Sequence, residues 1–318
     1  MKLLYIYLHR RSFVDIDIDL LSKSYDVTPF EFKFSKIFEL IKELRKCDCV
    51  FSFFASYHTF ACSLLSRKPL AVVVGGYDAS DIPGFGMFTN PWRQFIIRTI
   101  YKRAKHILPV DESLSEVICE YMPHVKDKIT VVPTGYDCDK YRPKGKKKKQ
   151  VLTVHYVNEI NWWRKGLSTL CDVAQKMPDV EFYVAGKVEK DIEERICNLV
   201  TFIPNIHFLD FVSDERLVEL YQESEVFVLL SKHEGLPNVL CEAMLCGCFP
   251  VTTGVNGIPN AQKDKGLYVR YGDVKQTSIC IRKALNRNVN ESELRDIIIK
   301  KFSLRHRENA FNKLFKEE

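Results

Sequence analysis

The chain has 318 residues, enough for roughly two domains of ordinary size, each with its own core. Its residues are 46% hydrophobic and 28% charged, as in a folded globular protein, and no run of ~18 uncharged apolar residues suggests a membrane-spanning helix. The net charge of +6 is uneven. Residues 1–150 carry 25 Lys and Arg against 17 Asp and Glu, and the remainder carries 22 against 24, so the first part prefers an anionic partner or surface.

The opening MKLLYIYLHRR is apolar and then basic, the reverse of a secretory leader, and is read as a first buried strand. CDCVFSFFAS and LAVVVGGYD are apolar runs that end in small or turn residues, as strands of a parallel sheet do. Between them lie helical segments such as SKIFELIKELRK, so strand and helix alternate, which predicts an open parallel sheet. HILPVDESLSEVICEYM predicts a short strand and a Ser-started helix, and KITVVPTGYDCDKYRP a strand running into a turn. Residues 91–108, PWRQFIIRTIYKRAKHIL, mix Ile96, Ile97, Ile100 and Ile107 with Arg93, Arg98, Lys102, Arg103 and Lys105. Such a helix either lies on an anionic membrane surface or packs on the sheet with a solvated basic face.

The run KGKKKKQ, residues 144–150, is polar and without periodicity. No aromatic interleaves with its lysines, so it is read as a solvated linker rather than a nucleic-acid patch. It sets the expected domains: residues 1–143, a linker at 144–150, a second domain at 151–300, and a terminal helix at 301–318 that packs back on the first. In the second part VLTVHYV, VEFYVAG, IHFLDFV, EVFVLLS, FPVTT and GLYVRYG predict strands, with helices between them. SDERLVELYQES has a Ser cap and acids in its first turn. This is the pattern of a doubly wound α/β domain. The eleven cysteines are scattered through apolar segments, and the pairs Cys47/Cys49 and Cys246/Cys248 lack zinc-site spacing. They are read as reduced core thiols of a cytoplasmic protein, with no metal.

The chemistry concentrates in KHEGLPNVLCEAM, residues 232–244, which follows the strand EVFVLLS and opens a helix. In open parallel sheets ligands bind beyond the carboxyl ends of the strands. A helix N-terminus offers unpaired backbone N–H groups that suit a phosphate. Gly235 permits close approach, Pro237 stiffens the turn, and Asn238 is expected to cap the helix. Carboxylates do not bind phosphate but do accept hydrogen bonds from vicinal hydroxyls. Glu234 and Glu242, on either side of the helix start, therefore suit a molecule with a sugar at each end of a diphosphate. That molecule is a nucleotide-sugar. Arg164 and Lys165, in WWRKG after the domain's first strand, are the expected cations for the diphosphate.

SKHEGLPNVLCEAMLCGCFPVTT resembles the signature of two Glu separated by seven residues in retaining glycosyltransferases of family 4, which have the GT-B fold. RKGLSTLCDVAQKMPDVEFYVAG, LVELYQESEVFVLLS, GVNGIP and GLYVRYGD are similar to that family in its usual order, and VPTGYDCDKYRP resembles the segment closing its first domain. The resemblance covers roughly residues 129–285. It implies two Rossmann-like α/β domains facing across a cleft, the nucleotide-sugar (UDP or GDP) held by the second and the acceptor by the first. By that resemblance Glu234 contacts the transferred sugar, Glu242 the ribose diol, and Gly235, Leu236, Pro237 and Asn238 the sugar and phosphate. Lys165 binds the diphosphate and stabilises the leaving group without a divalent metal or other cofactor. The departing phosphate assists front-face attack by a glycan or lipid-linked acceptor, with retention. Peripheral contact with an anionic membrane would run through residues 91–108.

Three departures from the family pattern stand out. The basic residue usually found about five positions before the Lys is missing from VNEINWW, so Arg164 is expected to replace it. The Gly-Gly loop after the first strand reads LHRRSF. A His expected at the end of a central strand has no clear counterpart. VVVGGYDAS instead offers Gly75, Gly76 and Asp78, and Asp78 either faces the sugar or acceptor hydroxyl or is a turn-forming Asp that caps the next helix. His58 is a weaker candidate. A nucleotide-sugar epimerase or a sugar phosphorylase on the same architecture is the alternative reading, and a basic nucleic-acid-binding protein a remote one.

Overall fold

The computed structural model describes residues 1–287 and 289–316. The last two residues of the expected terminal segment, Glu317 and Glu318, lie outside the described residues. The chain forms two compact units, Met1–Gly135 with Leu304–Glu318, and Tyr136–Ser303.

The first unit alternates β1 (Lys2–Tyr7), α1 (Ser12–Ser22), β2 (Asp26–Glu31), α2 (Ile37–Lys46), β3 (Cys49–Phe53), α3 (Tyr57–Leu65), β4 (Leu70–Val74), α4 (Pro91–Arg103), β5 (His106–Pro109) and α5 (Glu112–Tyr121). The five strands pair in parallel in the order β2-β1-β3-β4-β5. Every residue of β3 and β4 is buried, which is why their sequences are apolar apart from Ser52, whose hydroxyl is hydrogen-bonded to Thr59 at 2.7 Å. α4 begins where Asn90 accepts from the Arg93 N–H at 2.9 Å and Pro91 takes the first helical position. α5 is capped by Asp111, which accepts from the Ser113 N–H, so an Asp rather than the expected Ser starts it. The strand expected at KITVVP reduces to one bridge, Ile129 to Ile107: the Thr130 and Val132 N–H groups still donate to the Ile107 and Pro109 carbonyls at 3.0 and 2.9 Å, but Pro109 has no N–H to complete a second bridge.

The second unit runs β6 (Lys148–Val154), α6 (Glu159–Arg164), α7 (Leu167–Lys176), β7 (Glu181–Ala185), α8 (Glu193–Phe202), β8 (Ile206–Phe208), α9 (Asp214–Glu223), β9 (Ser224–Leu229), α10 (Asn238–Leu245), β10 (Phe249–Thr253), α11 (Ile258–Gln262), β11 (Leu267–Val269), α12 (Val274–Leu285) and α13 (Glu291–Phe302). Its six parallel strands order as β11-β10-β9-β6-β7-β8. The order reverses at the β9/β6 pair, which makes the sheet doubly wound and puts a crevice beyond the carboxyl ends of these two strands.

The lysine run is not the boundary between units, which falls at Gly135/Tyr136 and again at Ser303/Leu304. Physical reasons hold the run in the second unit. The Lys147 ammonium donates to the carbonyls of Tyr221, Gln222 and Ser224 at 3.1, 3.2 and 3.1 Å, closing the negative end of α9. Lys148 pairs with Glu223 at 2.9 Å, and Lys148 to Gln150 already belong to β6.

The terminal helix α14 (Leu304–Lys316) belongs to the first unit and packs beside α1. Arg307 anchors it. Its guanidinium clamps the buried Asp17 of α1, with Nη2–Oδ2 at 2.7 Å, and donates to the carbonyls of Val132 and Pro133 at 3.0 and 2.7 Å. Tyr5 donates to the same carboxylate at 3.2 Å. Both ends of the ion pair are almost fully enclosed, so removing one leaves a buried charge without its partner. Arg307→Met should therefore cost about 3–5 kcal/mol in denaturant unfolding. The double variant with Asp17→Asn should recover part of that loss, and a loss below about 1 kcal/mol would contradict an anchoring role.

Candidate functional site

The loop after β9, Leu230–Pro237, lies beside the α6–α7 connection because of one glycine. Gly166 adopts φ +67°, and a Cβ there would meet the carbonyl and side chain of Leu230. Any other residue would be strained and would collide with the loop. The two segments are tied by the Lys232 N–H, which donates to the Arg164 carbonyl at 2.8 Å.

This approach brings Lys165 against Glu234 in a nearly buried ion pair. Ser231 donates to the same Glu234 oxygen at 2.5 Å, and the Glu234 N–H donates to Asn256 Oδ1 at 3.2 Å. Asn256 itself has φ +46°, a conformation Asn tolerates better than most residues. Burial pulls the Lys165 pKa down, with Arg164 adding to the effect against the pull of Glu234. Burial pushes the Glu234 carboxyl up, but Lys165, Ser231 and Arg164 together outweigh it and hold the group below its ordinary range. The ionised form of Glu234 is thereby favoured, and the pair lies in a place with little water to screen it. Beneath them lies His155, whose Nε2 is 2.8 Å from Thr153 Oγ1; burial and the two neighbouring cations keep it neutral.

Arg164, expected beside Lys165 as a cation for the diphosphate, turns into the loop instead. Its guanidinium is buried, donating to Asn161 Oδ1 at 2.7 and 3.2 Å and to the His233 carbonyl at 3.4 Å. It fixes the loop that carries Glu234 and adds positive potential there, while Lys165 supplies the ammonium.

α10 starts at the end of this loop. Pro237, not Asn238, occupies the cap position, and no side chain caps the helix. Its first N–H groups are thus left for another acceptor. Asn238 is the first helical residue, and its Oδ1 accepts from the Tyr136 hydroxyl at 2.9 Å. Gly235 keeps an ordinary backbone and Leu236 is buried, so both shape the turn. Glu242 sits in the second turn of α10, away from the Lys165–Glu234 pair, where it accepts from Tyr221 at 3.0 Å and is also hydrogen-bonded to Tyr141. Burial raises its pKa against the opposing pull of the two phenols and Lys140.

The glycine-rich turn of the first unit is different. Asp78 is fully buried; one oxygen accepts from the Gly75 and Gly76 N–H groups at 3.0 and 2.9 Å, the other from Ala55 at 3.0 Å. Burial raises its pKa to about 6 against these backbone donors. Its carboxylate is enclosed and fully engaged with backbone, so it cannot meet a sugar or an acceptor hydroxyl. Asp78 is a lock between the ends of β3 and β4, which corrects its expected catalytic role. Gly76, at φ +138°, and Gly75, whose hydrogen faces the Phe54 ring, form that lock rather than a ligand loop. His58 is buried too, with Nε2 on the Phe53 carbonyl at 2.9 Å. Among the described residues, no group of three or more His, Cys, Asp or Glu is placed to hold a metal ion.

Four residues of this geometry escaped sequence reasoning: Ser231, Asn256, Tyr141 and Tyr221. All four lie within the family-like stretches and could have been singled out there.

Gly166→Ala should cost about 2–4 kcal/mol in chemical denaturation, combining left-handed strain with overpacking against Leu230. Gly145 has a similar φ of +71° but open space around it. Gly145→Ala should cost only about 1–2 kcal/mol, and equal losses in the two variants would remove the close approach as the reason for Gly166.

Residues 151–287 match the family described as Glycosyl transferases group 1, and residues 22–140 match Glycosyltransferase Family 4. The GPI3 subunit of phosphatidylinositol N-acetylglucosaminyltransferase from Saccharomyces cerevisiae is 23% identical over 64% of this chain and 48% of that protein. The capsular polysaccharide biosynthesis glycosyltransferase CapM of Staphylococcus aureus is 24% identical over 74% of this chain and 65% of its own. The chain thus spans about half the length of the yeast relative. The structure of Anabaena HepE in complex with UDP superposes with a TM-score of 0.83 at 14% identity, covering all of both chains. Sucrose-phosphate synthase from Thermosynechococcus elongatus superposes at 0.79 and 14% identity, covering 99% of this chain and 98% of that one. The fold is therefore of the GT-B kind, two parallel-sheet Rossmann-like units, and the chain belongs to the group 1 glycosyl transferases of family 4.

Proposed function

We propose that the protein transfers a sugar from a nucleoside-diphosphate-sugar to an acceptor hydroxyl, with retention at the anomeric carbon. The observation that carries this reading is the Lys165–Glu234 pair beside the side-chain-uncapped N-terminus of α10. The helix N–H groups and the Lys165 ammonium are two independent anion-binding elements, and together they suit a diphosphate. Glu234, whose carboxylate stays ionised, accepts hydrogen bonds from hydroxyls of the transferred sugar. Glu242, steadied by two phenols, accepts from the ribose diol. Arg164 acts on the site through its field and through the loop it fixes.

In this reading the diphosphate takes over the Lys165 ammonium when the donor enters. As the glycosidic bond breaks, negative charge grows on the leaving phosphate, and Lys165 with the α10 dipole stabilises it. The proton of the acceptor hydroxyl passes to that phosphate, so no protein base and no metal are assigned. UDP- or GDP-sugars are the donor classes; HepE has been crystallised with UDP-glucose. A glycan or lipid-linked acceptor is favoured because one relative is named for phosphatidylinositol and another for capsular polysaccharide. A cytoplasmic location with peripheral membrane contact belongs to the same reading. In residues 91–108, however, Arg93, Arg98 and Arg103 donate to carbonyls of their own unit, so α4 alone is a poor basic face.

A panel of UDP- and GDP-sugars should raise the melting temperature with at least one member, and that sugar should be slowly hydrolysed. Lys165→Ala should lower that turnover ~10²-fold or more, as loss of an electrostatic stabiliser does. No stabilisation by any member, or normal turnover in the variant, would contradict the proposal.

A further inference from the structure

The first unit carries apolar side chains on its outside that its own core does not use. α3 buries His58, Thr59, Cys62 and Ser63, and turns the opposite stripe of Tyr57, Phe60, Leu64 and Leu65 outward. The spacing of that second stripe is helical, so α3 buries its more polar side chains and exposes its apolar ones. Leu64 is 64% exposed. Beside it on α4, Trp92, also 64% exposed, stacks on Phe95, and the Phe95 ring lies 6.1 Å from Phe60. The row extends to the other side of α3. Phe32 contacts both His58 of α3 and Phe34, and Phe34 and Phe38 are 78% and 83% exposed one helical turn apart.

Topology makes these one face. The connections β2→β3, β3→β4 and β4→β5 all step the same way along the sheet, whereas β1→β2 steps back. Right-handed crossovers then place α2, α3 and α4 on one side and α1 on the other. Contiguous exposed apolar surface of this kind marks an interaction site.

Charge decides what covers it. Residues 33–46, 56–69 and 91–105, which make up this face and its edges, contain twelve Lys and Arg and two Glu. One of the two, Glu43, is paired with Lys46 at 2.7 Å. This is a formal surplus of ten positive charges in a chain whose total is +6, although Lys33 pairs with Glu31 at 2.9 Å and Arg93, Arg98 and Arg103 also donate to carbonyls of the unit. Exposed Trp, Phe and Tyr rings rimmed by Lys and Arg match the headgroup zone of an anionic bilayer, which accepts apolar rings and attracts cations at the same depth. No described helix is long and apolar enough to cross a membrane, so contact with a bilayer would be through a surface.

We propose that the outer face of α2, α3 and α4 docks the protein onto anionic lipid, with Leu64, Trp92 and Phe38 entering the interface and the surrounding lysines and arginines binding headgroups. This deepens the membrane contact expected at 91–108, moving its centre from the basic helix α4 to α3. It does not depend on the sugar-transfer reading.

The test is co-sedimentation of the full chain with vesicles of phosphatidylcholine alone or with phosphatidylglycerol added. Partition should be at least tenfold stronger into the phosphatidylglycerol vesicles and should fall as salt is raised. The exposed double variant Leu64→Asn/Trp92→Asn should reduce it at least tenfold, with an unchanged melting temperature and unchanged stabilisation by the nucleotide-sugar. A second variant, Phe38→Asn, should weaken it in the same direction. Absent partition, equal partition into both vesicles, or partition insensitive to the variants would overturn the proposal. So would a lipid-free dimer that the double variant dissolves, since a second copy would then cover the face. Loss of nucleotide-sugar stabilisation with vesicle binding intact would count against the catalytic reading alone.

Discussion

The candidate site depends on a charged pair held out of water. Lys165 and Glu234 come from segments 69 residues apart, and they meet because the α6–α7 turn can approach the end of β9. That approach requires Gly166, with its left-handed backbone and no side chain facing Leu230. Enclosing two charges is costly, and the surroundings offset the cost at each end. Ser231 and the Asn256 contact hold Glu234, and Arg164 with Asn161 and the His233 carbonyl holds the loop. Such a pair is a poor source of stability; in the proposed reading its cation is already in position before a ligand arrives, and its carboxylate competes with the incoming anion.

The second unit was the more legible in sequence, for physical reasons. Its inner strands β9 and β10 are almost wholly buried and read largely as apolar runs, and the candidate site residues lie where a parallel sheet places ligand contacts, just past strand ends. The spacing of Glu234 and Glu242 across a Gly-Leu-Pro turn already implied a helix start between them. What escaped notice was side-chain direction. Arg164 and Lys165 are adjacent and look equivalent, yet one turns inward to the loop and the other meets Glu234. Tyr141 and Tyr221 reach Glu242 from positions distant in sequence, and the stretches that contain them do not point to that contact.

The first unit shows the opposite. Asp78 has the position of a ligand residue, at a strand end beside two glycines. Three backbone N–H groups converge on it and make it part of the scaffold. The basic character of residues 1–150 was plain, but the cations are shared between two tasks. Some arginines close off carbonyls within the unit, and the remaining charges rim an aromatic face that only the sheet order assembles. The boundary was misplaced at the lysine run because a helix end in the second unit binds Lys147.

If Lys165 is the ammonium that a diphosphate takes from Glu234, the carboxylate must oppose binding of a nucleotide that has no sugar to offer it. Calorimetric titration of the free nucleoside diphosphate into the Glu234→Gln variant tests this directly. The account predicts tighter binding than in the unaltered protein, since the competing charge is gone while Lys165 and the α10 N-terminus remain. Weaker or unchanged binding would show that Glu234 and the diphosphate do not share Lys165, and would contradict the account.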